Sequence, residues 1–302
     1  MTEREGQKPS LFLCLIAPPV SLTESKPRLG YEARFSVSGA FLDALSDQRR
    51  EPILNVPLVV VVMIAALGAV HAVREWILPG DIDRVLVWTL AFVPARYDSG
   101  ALTDGILPGG WGAEIWTFFT YALLHADFMH LGFNAVWLLA FASPVARRFG
   151  TLRFSLFFAA TIAGGALAYL LAHAGAMSPM IGASAGISGM MGAAARFAFE
   201  PGGSLDMWHN DRANADRVPA APLLVALRNP RVMTFVGVWF GLNLLFGLGS
   251  VSFLTGDNQS VAWEAHVGGF LAGLLLFSLF DPIPRLQRTG SQTSSPDISD
   301  LH

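Results

Sequence analysis

The 302-residue chain is short of charge and almost without cysteine. Charged residues make up 14% of it, against about 25% in an average soluble domain. Hydrophobic residues reach 53%. So little charge excludes a water-soluble pair of domains, the organisation that length alone suggests, and a membrane protein is the class that remains. The single cysteine, Cys14, excludes an intrachain disulfide and a thiolate metal cluster. With 20 Lys+Arg against 23 Asp+Glu the chain offers no field that would gather nucleic acid. No histidine is followed by glutamate, which removes the HExxH helix of a zinc protease. The apolar runs also lack the two mid-depth carboxylates that an aspartyl intramembrane protease needs.

What is present is a series of long uncharged gaps. There are 22 uncharged positions between Glu51 and Arg74, 19 between Asp127 and Arg147, and 25 between Arg231 and Asp257. Each can cross a hydrocarbon core of about 30 Å as a helix. The 42 uncharged residues between Arg153 and Arg196 exceed one helix, and the glycine and proline of residues 175–179 divide them into two. Residues 261–280 supply a sixth span. Basic residues are retained on the cytoplasmic side. Counted by link, 17 of the 20 lie in the N-terminal segment, the links after spans two and four, and the tail; only Arg74, Arg84 and Arg96 lie opposite. Both termini are therefore expected in the cytoplasm. The link 74–114 is expected at the membrane interface, since 85–93 and 111–121 are apolar but too short to cross.

The expected organisation is a cytoplasmic N-terminal extension over 1–50, poorly ordered, a six-span membrane domain over 51–282, and a disordered cytoplasmic tail over 283–302. Residues 11–20 form an apolar run too short to span and interrupted by Pro18 and Pro19, a poor signal peptide.

Polar side chains inside spans are costly, so each is a functional candidate. Span two opens with His125, His130 and Asn134, span four with Ser184 and Ser188, and span six with His266. All three spans run inward, so these groups share one depth near the outer leaflet. A serine hydroxyl needs a base to become a nucleophile, and Ser184 with His266 supplies that pair. His130 and Asn134, four residues apart on one helix face, can meet a developing oxyanion, helped by free N–H groups at the helix start by Ser184. No carboxylate is placed to orient His266, although Glu264 is two residues away, so a dyad is expected. Glycines at helix spacing, Gly189, Gly192, Gly268, Gly269 and Gly273, are read as close-packing positions. His71 and His173 are read as interfacial or packing residues, and His209 as part of a solvated link.

These residues fall in three ordered motifs: HxxxxHxxxN (His125, His130, Asn134), GxSx (Gly182, Ala183, Ser184, Ala185) and AHxGGxxxG (Ala265, His266, Gly268, Gly269, Gly273). In them the chain resembles the rhomboid family of intramembrane serine proteases over about residues 53–280. The resemblance implies an all-α, polytopic bundle of six transmembrane helices, rhomboid-like, and an endopeptidase that cleaves single-pass membrane proteins within the lipid bilayer. It implies Ser184 as nucleophile, His266 as base, His130 and Asn134 at the oxyanion, and His125 as a structural hydrogen-bonding residue. The outer link and residues 232–249 become candidates for a gate. No metal or other cofactor is implied, and no oligomeric state. The absence of organelle-targeting features points to a bacterial plasma membrane. The alternatives of another class are a catalytically inactive rhomboid-like protein that binds transmembrane clients, and a small transporter. The first predicts loss of the serine or the histidine, and the second predicts inverted repeats with broken helices; neither pattern is seen.

The chain departs from the family pattern in three places. Ala185 follows the serine where glycine is usual, so that Gly186 to Gly189 is itself a GxSG and Ser188 becomes a second candidate nucleophile. Thr117 stands where the outer link commonly carries arginine. Ser188 also occupies the position of an aromatic ring that would stack on the base.

Overall fold

A computed structural model describes residues 56–98, 107–206, 214–247 and 261–283, all within one compact unit over 54–302. The expected N-terminal extension, the run 11–20, Cys14, and the tail from 284 onward lie outside the described residues.

The described residues form an all-α bundle with no strand; the one β-bridge pairs Phe92 with Met180. The helices are α1 (Leu58–Trp76), α2 (Gly80–Leu90), α3 (Gly110–Thr120), α4 (Phe128–Phe149), α5 (Thr151–Ala172), α6 (Ser184–Ala194), α7 (Pro230–Gly247) and α8 (Trp263–Phe280). Helices α1, α4, α5 and α8 are each long and apolar enough to cross a membrane. The remaining two expected spans are shorter: α6 has 11 residues and the apolar part of α7 covers Pro230–Leu245. The chain is a polytopic membrane protein whose lipid-facing surfaces carry exposed Leu, Val and Phe, among them Leu58, Val62, Phe133, Leu171, Val238 and Leu279. In α4 a π-turn over Leu138–Ala142 ends two residues before Pro144, which has no N–H to offer the carbonyl four residues back.

Small residues bring α5, α6 and α8 together. A Cβ on Gly269 would overlap the backbone of Ala185, and one on Gly273 the backbone of Gly189, so the α6–α8 approach exists only because both positions lack a side chain. Gly164 and Gly165 of α5 do the same against Gly268 and Ala265. Helix α6 is consequently buried nearly throughout, from Ala185 to Ala194.

The inter-helix links are held by charge on carbonyls. At the C-terminal end of α4, Arg148 grips Asp281 with two parallel bonds of 2.9 Å, donates to the carbonyls of Asp216 and Val218, and lies 4.6 Å over Phe197. Arg196 donates to the carbonyls of Ala221 and Leu274. Both arginines are almost fully buried, so two of the basic residues that indicate orientation in the sequence also staple the bundle.

At the opposite end the described parts of the 74–114 link are packed. Arg74 bonds Asp83 at 2.7 Å and the His125 carbonyl at 2.7 Å. Arg96 donates to the carbonyls of Trp88 and Pro108. Buried Thr117 bonds the Ala113 carbonyl at 2.5 Å and the Tyr97 hydroxyl at 3.0 Å. Helices α2 and α3 leave Ile82, Val85, Trp111, Ile115 and Phe119 exposed.

Candidate active site

The nucleophile candidate lies at a helix start that its own sequence dictates. Gly182 adopts φ +115°, a conformation L side chains rarely take, and turns the chain so that Ser184 becomes the first residue of α6. The first intrahelical bond is donated by Ile187 to the Ala183 carbonyl, which leaves the N–H groups of Ser184, Ala185 and Gly186 without intrahelical acceptors beside the hydroxyl. From α8, which the Gly269 and Gly273 contacts hold against α6, His266 reaches across: its Nε2 is 2.7 Å from Ser184 Oγ. Both side chains are half-buried, above the fully buried body of α6.

Ser188, one turn deeper, is buried and has no hydrogen bond to any histidine among the described residues. Of the two serines that the GxSG overlap offers, Ser184 is the one within hydrogen-bond reach of a histidine.

Helix α4 is capped by Asp127, whose Oδ1 accepts from the His130 N–H at 2.7 Å. His130 Nδ1 accepts a long 3.5 Å bond from the Ala126 N–H, so in the neutral ring Nε2 carries the hydrogen. That nitrogen lies 2.8 Å from where a Gly182 Cβ would stand, and Ser184 Oγ 3.7 Å from the same point; the glycine keeps open the space between them. Asn134 is buried, with Nδ2 donating 2.8 Å to the His130 carbonyl and Oδ1 left without a protein partner. The four residues Ser184, His266, His130 and Asn134 therefore come from three helices to one region, with His130 and Gly182 forming the junction.

His125 is buried behind this region, its ring 5.0 Å from that of His130. Burial, reinforced by the His130 and His71 rings, pushes its imidazole down to about 3, so it is neutral at physiological pH. Its carbonyl, not its ring, makes the tie to Arg74. His71 is also fully buried, edge-on to Phe128 at 4.6 Å. Gly268 sits against Gly164 of α5, in packing rather than at the hydroxyl. Among the described residues no group of three His, Cys, Asp or Glu side chains is arranged to hold a metal ion.

Glu264 does not reach the base; it pairs with His173 at 3.2 Å. The other ring nitrogen of His266 instead meets a residue that the motifs do not contain: Asn243 of α7, with Oδ1 2.5 Å from Nδ1. After Arg231 only Thr234 and Asn243 interrupt an apolar helix, and a lone amide in such a run is the available signal.

No curated protein matches the chain. The Rhomboid domain family matches residues 112–281, more than half of the chain and every residue of the site. By this match, the chain belongs to the rhomboid family.

Proposed function

We propose that the chain is an intramembrane serine endopeptidase that hydrolyses a peptide bond in or near the transmembrane segment of a single-pass membrane protein. The observation that carries this reading is the 2.7 Å contact between Ser184 Oγ and His266 Nε2. In the first step the Ser184 oxygen attacks the scissile carbonyl while its proton passes to Nε2. The oxyanion that develops faces the α6 N-terminus, with its unbonded N–H groups, and the Nε2–H side of His130, with Asn134 behind it. Collapse breaks the C–N bond, and Nε2 returns the proton to the leaving amine. Water then repeats the sequence on the acyl-serine, with His266 again as base.

Partial exposure of Ser184, His266 and His130 supports a cavity that water can enter. A substrate helix must unwind locally there, because helical carbonyls are occupied by their own hydrogen bonds. Small, helix-weakening residues at the cleavage point are the corresponding preference. In this reading α6 and α7 are the fourth and fifth of six spans, and the distribution of Lys and Arg directs the arginine-stapled end of α4 toward the cytoplasm. The test is cleavage of a transmembrane reporter in liposomes. Ser184→Ala and His266→Ala should each abolish it in folded protein, and Ser188→Ala should retain it; cleavage that survives Ser184→Ala refutes the proposal.

A further inference from the structure

An imidazole can act on Ser184 only if Nε2 is the nitrogen without the hydrogen, and something must set that tautomer. Helix α7 supplies it. The Asn243 amide cannot turn freely: its Nδ2 donates 2.8 Å to the Trp239 carbonyl, one helical turn back. That bond orients Oδ1 toward His266 Nδ1, 2.5 Å away. An amide oxygen only accepts, so Nδ1 must carry the hydrogen and Nε2 must present its lone pair to the Ser184 hydroxyl at 2.7 Å. The opposite tautomer would set two lone pairs against each other at Asn243.

Resting on the proteolytic reading, we propose that Asn243 is a positioning residue that completes a Ser184–His266–Asn243 relay, fixing the tautomer and ring orientation of the base and holding the imidazolium that forms when Ser184 gives up its proton. The relay is assembled from three helices, and its third member comes from outside the glycine-packed α5–α6–α8 core. Helix α7 also meets the bundle through Trp239 stacked on Phe270 at 4.6 Å, Phe235 against Phe141 and Phe199, buried Val232, and an Arg231–Asp206 ion pair at 3.6 Å. Glue between helices would need only some partner for the amide. Here both amide ends are used, and the oxygen ends on the one ring nitrogen whose hydrogen decides whether Ser184 can be activated. A buried amide in an apolar helix is costly unless both ends are satisfied, and its 9% exposure leaves water little access.

Asn243→Leu removes the acceptor at similar volume, and Asn243→Asp restores it. Loss of one hydrogen bond to a group charged in the transition state predicts that Asn243→Leu lowers kcat, and the rate at which a fluorophosphonate labels Ser184, by about 10- to 100-fold with KM little changed. Asn243→Asp should recover most of both rates. A labelling rate for folded Asn243→Leu equal to that of the unchanged protein overturns the proposal, as does an Asn243→Asp no faster than Asn243→Leu at equal melting temperature. A second measurement needs no variant at position 243. In 15N-histidine-labelled full-length protein in detergent, the resonances missing from His266→Gln report the ring, and the proposal predicts protonation at Nδ1 and a bare Nε2. The reverse pattern overturns it. Should the unchanged protein leave Ser184 unlabelled, the proteolytic reading fails, while the tautomer result still decides whether Asn243 sets the ring.

Discussion

The contact between α6 and α8 is the feature on which the Ser184–His266 distance most directly depends, and Gly269→Ala perturbs it with a single methyl group. Gly269 lies one turn after His266, and its missing side chain faces the backbone of Ala185, the residue after Ser184. A Cβ there would fall deep inside the van der Waals radius of the Ala185 carbonyl, an atom that cannot rotate away. Restoring an ordinary contact of about 3.5 Å with that oxygen requires the helices to part by roughly 1.5 Å. Overpacking of this kind costs about 1–3 kcal/mol. The same displacement would lengthen the 2.7 Å Ser184–His266 bond beyond the range of a hydrogen bond. A 1 Å misplacement of catalytic groups can lower a rate by about 100-fold. The expected outcome is a lower melting temperature in detergent together with a loss of reporter cleavage far larger than the loss of folded protein. Gly237→Ala in α7, where a Cβ would meet nothing within 4 Å, should change neither. Wild-type cleavage and melting by Gly269→Ala would refute the claim that this contact sets the geometry of the site.

Three other perturbations test separate parts of the structure. Gly182→Ala should lose cleavage at least as severely, because φ +115° strains an L residue by about 1–3 kcal/mol and its methyl would stand 2.8 Å from His130; activity kept by this variant contradicts the assigned turn. Arg148→Met strands the buried Asp281 carboxylate and two carbonyls, and should lower stability by about 3–5 kcal/mol, read as a fall in melting temperature that an unchanged value would contradict. His125, whose imidazole is pushed down to about 3, binds a proton in the unfolded chain before it does in the fold, so stability is lost as pH falls from about 6.5 toward 3, by up to about 1.4 kcal/mol per pH unit. His125→Gln should flatten that slope in melting curves taken between pH 7 and pH 4, and an identical slope would sink the argument.

The membrane class was legible because a scarcity of charge is a bulk property. The pairing of Ser184 with His266 was legible from motif order, since the glycines that close α6 onto α8 lie in the same motifs. What escaped were effects set by how helices rotate against one another. Asn243 carries no charge and sits in no motif, and only the rotation of α7 directs its amide to His266. Arg148 and Arg196 read as signals of orientation, while their burial among carbonyls depends on links from 214–222 and on α8 that no local pattern announces. Thr117 stands out in the sequence only as a departure from the family pattern, because its bond to the Tyr97 hydroxyl, 20 residues upstream, exists only in the packed link. The 42-residue uncharged run correctly resolved into two helices with a break near 175–179, but charge spacing alone could not show that the second, α6, has only 11 residues.

Treatment of the full-length protein with a fluorophosphonate probe, followed by mass-spectrometric location of the adduct, tests the central claim most directly. The account predicts modification of Ser184, abolished by His266→Ala; an adduct on Ser188, or a Ser184 that reacts equally well without His266, would contradict it.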